Sequence, residues 1–348
     1  MSNNLLRYIR SVEPIPEDSP LEECYAYCGK INRAYGKSFY ASSLIISREK
    51  RRSINALYGF LRLGDEIADF PLEGRGPEGS RRHLDLLREM IIEGDERGCH
   101  SNPIIQAYID TAKKYRIPVR HAMRFLDSME MDLACRRYST IGELKEYTYG
   151  CASVVGILVT YVLGYREEKA FEYAVKLGHA MQMTNFLRDI KEDIRRRRVY
   201  LPSEDMERFG VTVEDIERER MTEPLRSLIS HYVDLTRSDY SRVDSGYRFF
   251  KPDGVRFVYA ARILYSMILD RLEAIDCDVF RKRAVVPMAV KLLLSLRVLL
   301  LSVDRLTTMR MKKNHEGHEE KIITNRRVAL RQAQHRRRTR RIIKKGIF

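Results

Sequence analysis

Apolar side chains recur in this chain at three- and four-residue steps over long stretches, and two-residue alternation is nearly absent. Ile54, Leu57, Tyr58 and Leu61 make one such stripe, and Leu177, Ala180, Met181 and Thr184 a second. Val258, Ala261, Ile263, Tyr265, Ile268 and Leu272 make a third. At 100° per residue each set falls on one face of a helix, so the chain must bury helices against helices. The breakers sit between the stripes, at Pro71–Gly79 and Lys251–Gly254. No GxGxxG or P-loop interrupts the pattern. The spacing predicts an all-α chain with helices near 20–35, 47–70, 80–93, 103–115, 119–136, 141–164, 167–195, 223–248, 254–276 and 285–309. No linker separates domains before about residue 310. The expected organisation is an N-terminal arm (1–19), one helical body (20–310) and a basic tail (311–348).

Charge narrows the function classes. The net charge is +15, but two-thirds of it lies in residues 326–348, which hold ten Lys and Arg and no acid. The body is close to neutral, so the overall charge does not make the whole protein a nucleic-acid binder. A hydrophobic content of 44% beside 32% charged residues excludes a wholly disordered chain. Six cysteines without a CxxC pair and eight histidines without HExxH argue against zinc. The N-terminus has no long apolar segment, so a reduced, cytoplasmic protein is expected. The longest apolar stretch, Ala284–Val303, contains Pro287, Lys291 and Arg297. That suits a buried helix with two snorkelling cations better than a transmembrane span.

Two segments carry chemistry. From Tyr58, a helix places Arg62, Asp65 and Asp69 at about +40°, −20° and +20°. From Gln182, it places Asn185, Asp189 and Asp193 at about −60°, −20° and +20°. Each column ends in an aspartate pair at i, i+4, a spacing that costs an isolated helix roughly a few tenths of a kcal/mol. A single such pair means little on a solvated face; two, each on an otherwise apolar helix, look like the lining of a cavity. Mg²⁺ with a diphosphate would offset the repulsion, since it takes one or two carboxylates beside phosphate oxygens. The second column runs into Arg195–Arg198 and then Tyr200 and Pro202. Arg198 and Tyr200 suit a flap over phosphate oxygens, and Arg195–Arg197 a solvated helix end.

These residues carry a resemblance to the squalene/phytoene synthase family, head-to-head prenyl transferases with an all-α isoprenoid synthase fold, a helical bundle around a central cavity. The matching stretches are Lys37–Leu44, Tyr58–Asp69, Met131–Leu133 with Arg137 and Tyr138, Tyr147–Gly156, Gln182–Asp193 and Arg198–Pro202. A looser match spans Arg256–Leu269. The resemblance implies that Asp65, Asp69, Asp189 and Asp193 ligate Mg²⁺, with Mn²⁺ as an alternative. It implies that Lys37, Arg62, Arg188 and Arg198 meet the phosphates of two prenyl diphosphates, beside Ser38, Phe39, Gln182, Asn185 and Tyr200. Tyr58, Tyr147 and Tyr265 would line the reaction chamber as catalytic residues, although core packing explains Tyr147 and Tyr265 equally well from sequence. Ala152–Gly156 departs from the AGTVG common among relatives, and Arg197 replaces a glycine, which bears on product choice rather than activity.

The small run Ala41–Ser43 resembles phytoene synthases, which join two geranylgeranyl diphosphates. The alternative is a C30 synthase joining two farnesyl diphosphates, with NADPH needed only if the product is squalene. A scaffold that has lost catalysis is a third reading, disfavoured because all four motif aspartates are present. The tail reads first as a solvated, flexible end; of the two functional readings, a tether to anionic lipid suits it better than a nucleic-acid contact.

Overall fold

The computed structural model describes residues 3–69, 76–134, 137–303, 305 and 306. Its helices in chain order are α1 (Asn3–Leu6), α2 (Leu21–Tyr35), α3 (Lys37–Ser43), α4 (Arg48–Asp69), α5 (Gly76–Arg97), α6 (Pro103–Tyr115), α7 (Arg120–Ala134) and α8 (Ile141–Thr148). A π-helical turn, Tyr149–Ser153, joins α8 to α9 (Val154–Leu163). There follow α10 (Lys169–Arg195), α11 (Ser203–Phe209), α12 (Val213–Glu217), α13 (Glu223–Val243), a 3₁₀ segment (Asp244–Phe249), α14 (Pro252–Ala274) and α15 (Met288–Leu300). Among the described residues the only β pairing is two isolated bridges, Arg137 with Val199 and Tyr165 with Phe250.

Each of the ten expected helices has a counterpart. Local chemistry sets several ends. Asn102 caps α6, its Oδ1 accepting from the amides of Ile104 (3.0 Å) and Ile105 (3.2 Å), with Pro103 in the first turn. Thr222 caps α13 in the same way through the amide of Leu225. Helix α15 begins only at Met288, after Pro287. The short helices α1, α3, α11 and α12 were not expected, because seven residues or fewer show little periodicity. Residues 311–348, the expected tail, lie outside the described residues.

The core has two centres. Helix α4 buries Ile54, Leu57, Phe60, Leu63 and Ile67 against α2, α6, α7 and α9. Phe60 lies between Tyr108 and Phe125, with ring centroids 4.4 and 5.5 Å away. Helix α10 packs on α9, α13 and α14. Because α9 touches both α4 and α10, it forms the floor between the two carboxylate-bearing helices. Each fully buried Leu, Ile or Phe contributes about 1.5–3 kcal/mol. The N-terminal arm joins this core: Leu5, Leu6, Tyr8 and Ile9 are buried, and the Tyr8 hydroxyl hydrogen-bonds His83 Nδ1 at 2.8 Å.

Two glycines let α10 approach closely. A Cβ on Gly156 would stand 2.6 Å from the carbonyl oxygen of Ala174, and one on Gly178 2.5 Å from that of Ala152. Backbone meets backbone there, which only glycine allows. The stretch Ile141–Leu163 is long and apolar enough to cross a membrane by length and composition, but most of it is buried in the bundle. Its packing on α10, α7 and α4 makes it a core element.

Candidate active site

Helix α4 presents Tyr58, Arg62, Asp65 and Asp69, and α10 presents Gln182, Asn185, Arg188, Asp189 and Asp193. The two columns face each other: Asp69 contributes to the electrostatic surroundings of Asp193, and arginines just past α10 reach back to α4. Arg198 Nη1 lies 2.5 Å from Asp69 Oδ1, and Arg196 Nη1 2.9 Å from Asp69 Oδ2. Arg198 thus bridges from the segment after α10 to Asp69 on α4. Arg196 does not belong to a solvated end as expected; the turn that follows α10, with Arg197 at φ +60°, swings it onto Asp69. Arg195 pairs with Glu219 instead, at 2.9 Å.

The second column is not the ideal helix assumed above. Asp189 has φ −106° and ψ 15°, so α10 is kinked at the carboxylate itself. The kink leaves Asp189 clasped by Arg188, at 2.8 and 2.5 Å, and by Arg283 Nη2 at 2.7 Å. Burial opposes its charge, but these two guanidiniums outweigh burial and hold the carboxyl below its usual range. Asp193 and Asp65 go the other way. Burial, with the neighbouring charge of Asp189, pushes Asp193 well up. Burial, with the charges of Asp69 and Asp132 partly countered by Arg62, pushes Asp65 up to about 7. Two of the four aspartates therefore hold more negative charge than their surroundings favour. A cation placed between them would relieve that.

Behind the carboxylates lies an aromatic layer. Tyr138, Tyr147, Phe186 and Tyr200 stack, with Phe186 and Tyr200 centroids 4.1 Å apart and Tyr147 and Tyr200 5.7 Å apart. Asp132 on α7 gathers it: it accepts from Tyr200 at 2.8 Å, pairs with Arg198 Nη2 at 2.8 Å, and lies within the electrostatic reach of Tyr147. Tyr147 and Tyr200 thus sit in the layer beside Asp132, with the Tyr200 hydroxyl committed to it. Tyr58 and Tyr265 form the other wall and lie within each other's electrostatic reach. Phe39 reaches them from α3, its centroid 5.6 Å from Tyr58 and 5.4 Å from Phe257. Arg62 is held by a buried ion pair with Glu66 and lies 4.3 Å over the Tyr35 ring. Lys37 is exposed at the start of α3, and the carbonyl of Ser38 accepts from Ser42 at 3.1 Å. Ala41, Ser42 and Ser43 are buried; the Ala41 carbonyl accepts from Ser295 on α15 at 3.1 Å.

From sequence, Asp132 and Arg283 carry no site role, Arg196 belongs to a solvated helix end and Lys291 reads as a snorkelling cation. Lys291 is 7% exposed, and burial together with the charges of Arg188 and Lys37 pulls its ammonium down. Its signal was present, as a cation inside the most apolar stretch. Arg283 has no local signal, because only the tertiary fold brings it to Asp189.

Among the described residues, no three His, Cys, Asp or Glu side chains converge closely enough to hold an ion by themselves. Mg²⁺ commonly uses one or two carboxylates and leaves its other positions to water and phosphate oxygens. This donor set fits that habit. Two facing aspartate pairs are joined by the amide oxygen of Asn185, shielded and without a protein partner, while Asn185 Nδ2 donates to Gln182 at 3.2 Å.

The profile of the family described as squalene/phytoene synthase matches residues 32–290. The chain belongs to the squalene/phytoene synthase family. It is 33% identical over 298 residues to a 15-cis-phytoene synthase of Synechocystis sp., covering 81% of this chain and 87% of the relative. It is 33% identical over 279 residues to a chloroplastic phytoene synthase of Daucus carota, covering 78% and 69%. Among solved structures, a dehydrosqualene synthase in complex with ligand superposes with a TM-score of 0.73 at 25% identity, covering 80% of this chain and 96% of that one. A squalene synthase of Alicyclobacillus acidocaldarius shares the fold, with a TM-score of 0.67 at 23% identity, covering 74% and 97%. As a member of this family the chain is a prenyl transferase with the helical isoprenoid synthase fold, and its substrates are prenyl diphosphates.

Proposed function

We propose that the protein joins two geranylgeranyl diphosphates head to head, through a cyclopropyl intermediate, to make phytoene. The observation that carries the chemistry is the pair of facing aspartate columns, each clasped by arginines that can turn to phosphate. The phytoene synthases it resembles over about four-fifths of its length support the C20 substrate.

Asp65, Asp69, Asp189 and Asp193, with Asn185, would hold Mg²⁺. Bound there, the metal supplies positive charge to the diphosphate leaving groups. The protein's own groups do the rest. Arg188, Arg198 and Arg283 exchange carboxylate partners for phosphate oxygens, keeping their charge-assisted bonds while the substrate enters. Tyr58, Tyr265, Phe39 and Phe257 wall the chamber with rings whose faces stabilise the allylic cation left when the first diphosphate departs. The second molecule's double bond captures that cation, and loss of a proton from the new cation, to the released diphosphate, closes the cyclopropane. Loss of the second diphosphate and rearrangement then end in loss of a proton. Apolar walls exclude water, which would otherwise quench either cation. Asp132 fixes Tyr200 and Arg198 and so positions the flap.

In this reading the enzyme works in the cytoplasm, and the basic tail tethers it to anionic lipid. Incubation with each diphosphate, with and without NADPH, tests the product. Phytoene from geranylgeranyl diphosphate without NADPH is expected, and turnover of farnesyl diphosphate alone would assign a C30 synthase instead.

A further inference from the structure

Helix α15 is amphipathic in the wrong sense for a helix that meets only water. Its inward face carries Lys291 and Ser295, 7% and 4% exposed. Its outward face carries Leu292, Leu293, Leu296, Leu299 and Leu300, between 48% and 78% exposed. From Lys291 these leucines span about 80–200° around the axis, so they form one contiguous strip. A surface helix ordinarily turns its leucines to the core and its charges to solvent. An apolar strip of this kind, rimmed by charge, marks an interaction surface.

The charges around the strip identify what covers it. Between Asp278 and Asp304 the chain contains Arg281, Lys282, Arg283, Lys291 and Arg297 and no acid; of these Lys291 faces inward and Arg283 pairs with Asp189. Arg281, Lys282 and Arg297 are exposed. Ten further cations follow in residues 326–348. A second copy of this chain would bring the same cations against these, and the basic tail would do likewise. The complementary surface is apolar beneath and anionic above. We propose that the leucine strip of α15 inserts into the surface of an anionic lipid bilayer, with the flanking arginines and lysines at the headgroups. An apolar face and a polybasic segment are the two signals that stable peripheral anchoring requires.

The location has a consequence for the reaction. On its inner side α15 packs on α3, through Ser295 and the Ala41 carbonyl, and Lys291 lies in the charge field of Lys37 and Arg188. One helix therefore separates the bilayer from the substrate-binding wall, which would let a hydrocarbon product pass into lipid. That consequence rests on the proposed condensation; the docking does not.

The test uses the full chain with phosphatidylcholine vesicles, with and without phosphatidylglycerol. The protein contains no tryptophan, so Leu296→Trp provides a single reporter whose emission should shift to the blue on vesicles containing phosphatidylglycerol. A Leu293→Glu/Leu296→Glu/Leu300→Glu protein should sediment with those vesicles at least about tenfold less than wild type. Its turnover in detergent should be unchanged, which separates loss of docking from any failure of the proposed reaction. Deleting 326–348 should weaken binding in a salt-dependent way without abolishing the Leu296→Trp shift. Equal sedimentation of wild-type and triple-substituted protein would overturn the proposal, as would vesicle binding without an emission shift. A change from dimer to monomer on triple substitution, with vesicle binding intact, would assign the strip to a second copy instead.

Discussion

Asp65 is the residue at which stability and catalysis pull apart. Burial and two neighbouring carboxylates push its pKa from 3.8 up to about 7. The folded, metal-free protein therefore takes up a proton at Asp65 as pH falls through 7, while the unfolded chain does not until about 3.8. The contribution of this group to folding is thus favourable in acid and is lost as pH rises through 7. Asp65→Asn should stabilise the protein in EDTA at about pH 8 by up to about 4 kcal/mol, and hardly at all at about pH 3.5. Thermal melts of both proteins at both pH values check this; turnover should disappear in the same variant. Arg198 behaves in the opposite way. It bridges Asp69 and the buried Asp132, so Arg198→Ala should cost about 3–5 kcal/mol in urea unfolding, by leaving a buried carboxylate unpaired. The aspartates could be read from sequence because helical periodicity puts i and i+4 on one face. Asp132 and Arg283 could not, since their partners lie on other helices far along the chain.

At the scale of elements, α15 ends at Leu300, well short of the expected 309, but the other long helices were legible to within a few residues because their apolar stripes are long. Two departures were not, and both sit at the site. The π-helical turn Tyr149–Ser153 lies at the Gly178 contact with α10, and the kink at Asp189 lies about three turns further along α10; a single-helix pattern encodes neither. Such irregularities are common at functional sites. Gly178→Ala places a methyl 2.5 Å from the Ala152 carbonyl oxygen, and should lower stability by about 1–3 kcal/mol. Because α10 carries the second aspartate column, it should lower turnover as well. Denaturant unfolding and initial rates, measured on the same preparation, test both effects. A variant of normal stability and rate would mean that the close approach is not needed.

For the molecule as a whole, the proposed lipid docking assigns most of the charge of +15 to location rather than chemistry. A chain ending at residue 325 should melt as the full chain does and keep its turnover in detergent. Calorimetry and a detergent assay would show this. What the sequence could not convey at this scale is the orientation of α15, since a buried helix and an outward-facing leucine strip share one composition. The account stands on the two aspartate columns acting together with Mg²⁺ on prenyl diphosphates. The most direct measurement compares release of pyrophosphate from geranylgeranyl diphosphate by wild type and by Asp65→Ala/Asp189→Ala, each with Mg²⁺ and with EDTA. The account predicts rapid release by wild type with Mg²⁺, and none in EDTA or from the double variant. Undiminished release by a folded double variant would contradict it.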